Sequence, residues 1–411
     1  MKIVLVSQWY PPEQAPIGYM VRDLAQALVM RGHEVTVITG FPNHPSGKVF
    51  GGYRKKWRLK ETNDGVDVWR MYLFTSVSRS RLSRILTFLS FTMSSAWALM
   101  AHRKPDLIFS VFQPLSVGIT LPLITRLRGS KLVLNVQDLH PDAQVRLGLI
   151  QNSILIGLLR MIERFGYRSS DGLAVICEQF RIHCNSIASD ETHIAVIPNW
   201  IDLNEILPGS RMNGLRKELG LSSEHVVILF AGTIGLVANS EIIIDVAKIL
   251  KNSARKVRFV FIGEGPAVVN LKRLATEGRL SNVLFAPFQP RDRLSEVQAL
   301  SDISLLTMGL GQGRTSVPSK LLGYMAAARP VIAAVDKDSE TAALVLNANC
   351  GMVTSPGDPF ELARSITALI SCGSIERQKI GLNGRTYLEN NYAKDKIVDE
   401  YINFFDTIAK K

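Results

Sequence analysis

Four cysteines in 411 residues, Cys177, Cys184, Cys350 and Cys372, form no CxxC pair and no zinc spacing. A structural zinc site is not expected, and the four read as small buried apolar residues of a reducing compartment. Long hydrophobic runs are scarce too. The best stretch, residues 85–100, is shorter than the roughly 20 residues a helical span needs, and Ser and Thr interrupt it. A membrane-crossing chain is not expected. Met1 runs directly into KIVLV without a signal-peptide n-region or cleavage site, so a cytoplasmic location is expected. GxGxxG and GxxxxGK[ST] are both absent, which sets aside the dinucleotide fingerprint and the P-loop. Short-period repeats and low-complexity segments are missing as well. Acidic residues are outnumbered: 36 Asp and Glu against 48 Lys and Arg leave a formal charge of +12. Such a balance favours anionic partners, whether phosphorylated substrates, nucleic acid or an acidic membrane surface.

What is present is a globular composition, 46% hydrophobic and 20% charged, in a chain longer than one core usually serves. Short apolar runs at 2–6, 34–39, 106–110, 131–135, 172–176 and 194–197 read as buried strands. Helical patterns at 18–31, 82–102, 117–128 and 153–167 lie between them. A polar stretch around Pro198, Asn199, Pro208 and Gly209 reads as a linker. Strands then resume at 226–231, 257–262, 283–285, 302–306, 331–334 and 351–354. Helices at 319–327, 359–370 and 394–410 accompany them. This alternation predicts two doubly wound α/β domains, residues 1–200 and 201–391, facing each other across a cleft. Ligands of open parallel sheets bind at the carboxyl ends of the strands, so the chemistry is expected there.

Glycine-bearing loops follow several strands. Gly18 opens a helix after the first strand, where free N–H groups suit negative charge. Gly232-Thr233-Ile-Gly235 and Gly263-Glu264-Gly265-Pro266 each end a strand of the second domain, and the backbone amide near Gly232 is a candidate donor to a departing charge. The run from Gly309 to Lys320 is the sharpest. Pro318 and Ser319 start a helix with Ser319 a candidate N-cap, so N–H groups from Ser319 to Leu321 could meet a diphosphate. Arg314 and Lys320 would supply charge at its leaving oxygen. In the first domain Asp138 and His140 end a strand, placed to touch a sugar or an acceptor hydroxyl, or to serve as a capping Asp and a loop His. Asp336-Lys-Asp338 is formally a DxD, but its setting reads as coincidence, and no metal site is expected.

Basic stretches at 54–60, 79–84 and 126–131 fall in the first domain. They fit an anionic lipid surface or a solvated face, and no nucleic-acid module signature accompanies them. Residues 85–100 read either as a core helix or as a helix in the membrane interface, flanked by Arg79, Arg81 and Arg84 before and by Trp97, His102, Arg103 and Lys104 after.

PPEQAPIGYMVRDLAQALVMRGHEVTVITGFPNHPSGKVFGGY, PDLIFSVFQPLSVG, QDLHPD, VIPNWID, FAGTIGL, FIGEGP, VPSKLLGYMAAARPVIAAV and CGMVTSPGDPFELA follow one another along nearly the whole chain. In that order they resemble glycosyltransferase family 4, with its two-domain GT-B fold. The FPNHPSGK and PNWID runs resemble the subgroup that builds O-antigens, capsules and exopolysaccharides such as colanic acid. The resemblance implies a nucleotide-sugar donor, UDP-linked, held by the second domain and an undecaprenyl-diphosphate-linked saccharide held by the first. It also implies retention of configuration, no divalent metal, no cofactor beyond the donor, and a peripheral place on the inner membrane. The final helix, 392–411, would return to the first domain. Where many members carry two glutamates this chain has Thr315 and Gly323, and where many carry Arg and Lys after FAG it has Thr233 and Ala238. A nucleotide-sugar epimerase and an inactive scaffold subunit stay open as alternatives at this stage.

Overall fold

A computed structural model describes residues 1–411 except Gln14, Pro45, Arg54, Lys55, Arg79, 253–255 and Lys411. Three cations of the basic stretches, Arg54, Lys55 and Arg79, therefore lie outside the described residues. The chain divides into two compact units. One comprises Met1–Val145, Ile150–Asn199 and Ile397–Lys411, the other Arg146–Leu149 and Trp200–Lys396.

In the first unit the described residues form an eight-stranded sheet. Its strands are β1 (Lys2–Val6), β2 (Glu34–Gly40), β3 (Arg58–Asn63), β4 (Val66–Met71), β5 (Leu107–Val111), β6 (Lys131–Val136), β7 (Gly172–Val175) and β8 (His193–Val196). They lie in the order β3-β4-β2-β1-β5-β6-β7-β8. The inner strands are mostly apolar and buried nearly throughout because helices cover both faces, which is what a parallel sheet requires. Helices α1 (Pro16–Met30), α2 (Arg81–Ala101), α3 (Val117–Arg128), α4 (Asp142–Arg146), α5 (Ser153–Arg168) and α6 (Glu178–Asn185) connect them. The last helix, Lys394–Ala409, packs Tyr401 and Phe405 on Phe109, with ring centroids 5.7 and 5.5 Å away.

One edge departs from the expected parallel pattern. β3 and β4 are antiparallel, joined by Asp64 and Gly65, both at positive φ. An Asp-Gly pair suits this tight turn because Gly tolerates φ > 0 freely and Asp better than most residues. The segment read as a basic surface stretch is thus partly an edge strand, whose Lys60 ammonium lies 3.6 Å above the Trp69 ring.

The second unit holds β9 (Val226–Ala231), β10 (Val257–Ile262), β11 (Val283–Ala286), β12 (Ile303–Thr307), β13 (Val331–Ala334) and β14 (Gly351–Thr354), all parallel. Their order is β11-β10-β9-β12-β13-β14. Alternation sorts the strand residues into two apolar layers. Val227, Leu229 and Ala231 join one with Leu321 and Tyr324, while Val226, Ile228 and Phe230 join the other with Ile243 and Ile366. Each fully buried Ile or Leu contributes roughly 2 kcal/mol.

Among the described residues no helix is long and apolar enough to cross a membrane. Cys177, Cys184 and Cys350 are buried as expected, but Cys372 is exposed, because it sits at the junction of two helices on the surface.

Candidate active site

Strand order reverses at β1 and β5 in the first unit and at β9 and β12 in the second. The loops leaving the carboxyl ends of these strands are the places where a parallel sheet holds ligands.

In the second unit, glycine brings the two loops after β9 and β10 into contact. A Cβ on Gly263 would stand 1.9 Å from the Gly232 carbonyl oxygen, and one on Gly265 would stand 2.2 Å from that of Ile234. Both glycines have φ near 150°, outside the reach of most side chains. Ile234 N–H donates to the Glu264 carbonyl at 2.9 Å, and Ala267 N–H to the Ile234 carbonyl at 3.2 Å. Glu264 thus contributes its main chain here while its side chain is exposed. The loop after β12 joins the group through Gly309 N–H, which donates to Val237 at 3.0 Å.

The glycine run 309–313 is pinned from below. Buried Asp336 accepts from Gly311 N–H at 2.9 Å and from Gly313 N–H at 3.3 Å, while Asp338 pairs with Arg314 at 2.9 Å. The formal DxD is therefore a loop clamp and an ion pair, with its two carboxylates committed to different partners. Arg314, expected to face the leaving oxygen, is held on Asp338 at the surface. Among the described residues no group of three or more His, Cys, Asp or Glu could hold a metal ion.

Lys320 is the group these loops surround. Its ammonium lies 4.0 Å from the Phe230 ring centroid and donates to the Thr233 carbonyl at 3.4 Å, and a Cβ on Gly232 would stand 3.8 Å from its Cε. No carboxylate pairs with it among the described residues. Burial pushes the ammonium down to about 8, because nothing anionic offsets the lost hydration. A half-buried cation without a carboxylate partner among the described residues, beside a glycine shelf, is prepared for an anion.

The expected amide donors fare differently. Gly232 N–H continues the strand ladder to the Ile262 carbonyl at 2.9 Å, and Leu321 N–H is taken by Pro318 at 3.2 Å. Leu321 itself is a core side chain. Ser319 is exposed and helical, and its hydroxyl caps nothing. Thr315 is buried with its hydroxyl on the Gln312 carbonyl at 3.3 Å. A Cβ on Gly323 would face Gln298 at 3.6 Å.

In the first unit Gly18 is the third residue of α1 rather than its opening. Its N–H closes a turn on Ala15 at 2.9 Å, and a Cβ would sit 3.2 Å from the backbone of Trp9 and Tyr10. It serves close packing of helix on loop. Asp138 is partly buried at the end of β6, and buried His140 bonds through Nδ1 to the Gln144 side-chain amide. The two lie in the same loop, fed by one strand.

Sequence reading missed Glu13. This fully buried carboxyl accepts N–H bonds from Asn43 at 2.8 Å and His44 at 2.9 Å through Oε1, tying the loop after β1 to the loop after β2. Its Oε2 is buried without a hydrogen-bond partner among the described residues, as is Nη1 of buried Arg70. Burial pushes Glu13 up to about 7, against the two N–H bonds and the Arg70 charge, which act to lower it. An acidic residue inside the otherwise uncharged PPEQAP loop was the available signal.

Comparison with known proteins covers both units. Residues 17–200 match the glycosyl transferase 4-like domain and residues 212–387 match glycosyl transferases group 1. A glycosyl transferase of Escherichia coli (strain K12) named for colanic acid biosynthesis, WcaI, is 28% identical over 98% of this chain and 99% of its own. Sucrose-phosphate synthase from Thermosynechococcus elongatus superposes with a TM-score of 0.78 at 16% identity, covering 99% of both chains. The Anabaena protein HepE, solved in complex with UDP, superposes at 0.70 and 18% identity, covering 99% of this chain and 100% of its own. These two structures share the GT-B fold with this chain.

Proposed function

Because this chain belongs to the glycosyltransferases of the GT-B fold, 4-like in its first part and group 1 in its second, we propose that it moves a sugar from a UDP-linked donor to a lipid-linked saccharide. The acceptor is an undecaprenyl-diphosphate-linked sugar at the inner face of the cytoplasmic membrane, and the product is a bacterial surface polysaccharide. The name of the E. coli relative and the UDP complex of HepE support this reading. The observation that carries it is Lys320, a half-buried ammonium set among the glycine loops with no carboxylate partner among the described residues.

In this reading the donor diphosphate rests on the shelf of Gly232, Thr233, Gly263 and Gly265. The acceptor oxygen attacks the anomeric carbon while the bond from that carbon to the diphosphate oxygen breaks on the same face, so configuration is retained. The acceptor proton passes to the departing phosphate oxygen, and the Lys320 ammonium meets the charge that develops there. Asp138 and His140 orient the sugar. Loop-held Arg314 joins only after leaving Asp338. The transfer needs no divalent metal, since a fixed cation does that work.

Calorimetry of the purified protein against UDP, GDP, dTDP and ADP, with and without EDTA, tests the reading. UDP is expected to bind and EDTA to change nothing. Binding that EDTA abolishes would remove the metal-free mechanism, and preference for another nucleotide would remove the donor assignment.

A further inference from the structure

Helices α2, α3 and α5 form one layer of the first unit, with α3 packed between the other two. Their inward faces mix large apolar residues such as Phe91, Leu99, Leu121 and Tyr167 with small or polar ones. Thr92, Ser94 and Ser95 of α2 are buried, each hydroxyl bonded to a carbonyl of its own helix. Gly166 of α5 meets Gly118 of α3, where a Cβ would stand 3.3 Å from the Gly118 Cα. Buried Glu163 bonds to His183 at 3.0 Å.

A second set of large apolar residues on the same helices points outward. On α2, Ile85, Leu89, Met93 and Trp97 are exposed at four-residue spacing, a single stripe along the helix. Ile119, Leu123 and Leu127 repeat the pattern on α3, and Ile154, Leu158, Met161 and Phe165 on α5. Exposure reaches 71% at Met93, 73% at Leu127 and 82% at Ile154. Three adjacent stripes exceed the scattered apolar residues of an ordinary surface.

Charge identifies the occupant. Arg81, Arg84, Arg126 and Arg164 are exposed on the same helices, whose sole carboxylate is buried Glu163. Asp142 on neighbouring α4 is already paired with Arg160 at 3.1 Å. The Arg58 guanidinium lies 5.6 Å from the ring of Trp97, and Trp57 beside it in sequence is also exposed. Exposed Trp among cations is the composition of a membrane–water interface.

We propose that the outer face of α2, α3 and α5 docks on an anionic lipid bilayer, with the three helices lying in its interface. A second copy of this chain is the poorer occupant, since a two-fold contact would set these arginines against one another with no exposed carboxylate on the helices to answer them. The proposal is independent of which sugar is transferred.

Co-sedimentation of the full chain with vesicles of phosphatidylcholine, alone or with phosphatidylglycerol, tests it. Binding is expected only when phosphatidylglycerol is present and should fall as salt rises. Leu158→Glu/Phe165→Glu should lower the partition about tenfold or more, and Arg84→Glu/Arg164→Glu should do the same, each cation counting for about fivefold. These side chains are exposed, and unchanged calorimetric UDP binding by the variants confirms folded protein. Equal binding of wild type and Leu158→Glu/Phe165→Glu overturns the proposal, as does absence of binding to either vesicle. A lipid-free dimer that Leu158→Glu dissociates gives the face to a second copy and overturns it too. Wild-type protein that binds vesicles but no UDP leaves the docking face standing and removes the transfer reading.

Discussion

The helix Glu241–Ile249 of the second unit turns Ile242, Ile243, Ile244 and Val246 into its core. Helix α5 of the first buries only Glu163, Gly166 and Tyr167 of its sixteen residues, leaving Leu158, Met161 and Phe165 outside. Both helices belong to units built on doubly wound sheets whose central strands are mostly apolar and buried. The difference shows that strands supply enough burial for such a sheet to tolerate small or polar residues on part of its helical cover. Large apolar residues released from packing are then free to meet something outside the molecule. The loops after the strands differ too: the first unit buries a carboxyl, Glu13, and the second sets a half-buried cation, Lys320, among its glycine loops.

The largest expected effect breaks the contrast at the strand ends. Lys320→Ala should lower turnover by about 10²–10³, the usual loss for one transition-state donor in a dry site. Wild-type UDP affinity should also fall as pH rises through about 8, where the ammonium loses its proton. Near-normal turnover of the variant would move the charge-stabilising role elsewhere, Arg314 being the next residue to test.

Next comes the helical contrast, probed with one type of change in both places. Ile243→Ala, in a side chain 1% exposed, should cost about 3 kcal/mol in urea unfolding. Leu158→Ala should stay within about 0.5 kcal/mol. Equal losses at the two sites would mean that α5 is covered by protein in solution.

A pH-limited effect comes last, at Glu13, whose carboxyl pKa is higher folded than unfolded. The folded protein then holds the proton more tightly, so stability falls as pH rises from about 4.5 and levels off above about 7. Glu13→Gln removes that dependence. The variant should gain on wild type by up to about 3 kcal/mol between pH 4.5 and 8, and a flat difference across that range would show that the carboxyl is hydrated.

Much of the fold was legible. Apolar runs such as VVILFA and RFVFI marked β9 and β10, because a strand buried on both faces cannot alternate. The hairpin at Asp64-Gly65 was missed although its turn residues were present, since the flanking strand is largely polar and looked like surface. At the site, the glycines of GTIG and GEGP and the position of Lys320 followed from their places after strands. The failures were of partners: Gly18, Gly232 and Leu321 were expected to offer N–H groups that the backbone already uses. Arg314 was expected to be available, yet Asp338 sits across the loop from it.

By itself, then, the sequence determined two doubly wound units, their glycine-bearing loops and an excess of positive charge. Periodicity and residue size act along the chain and can be read there. Only the tertiary structure decided which amides the backbone already uses, that Glu13 is sealed away from water, that Lys320 stands without a carboxylate partner among the described residues, and that three apolar stripes from separate helices lie side by side. Hydrogen-bond partners, desolvation and a continuous surface depend on neighbours in space, and those neighbours come from distant parts of the chain.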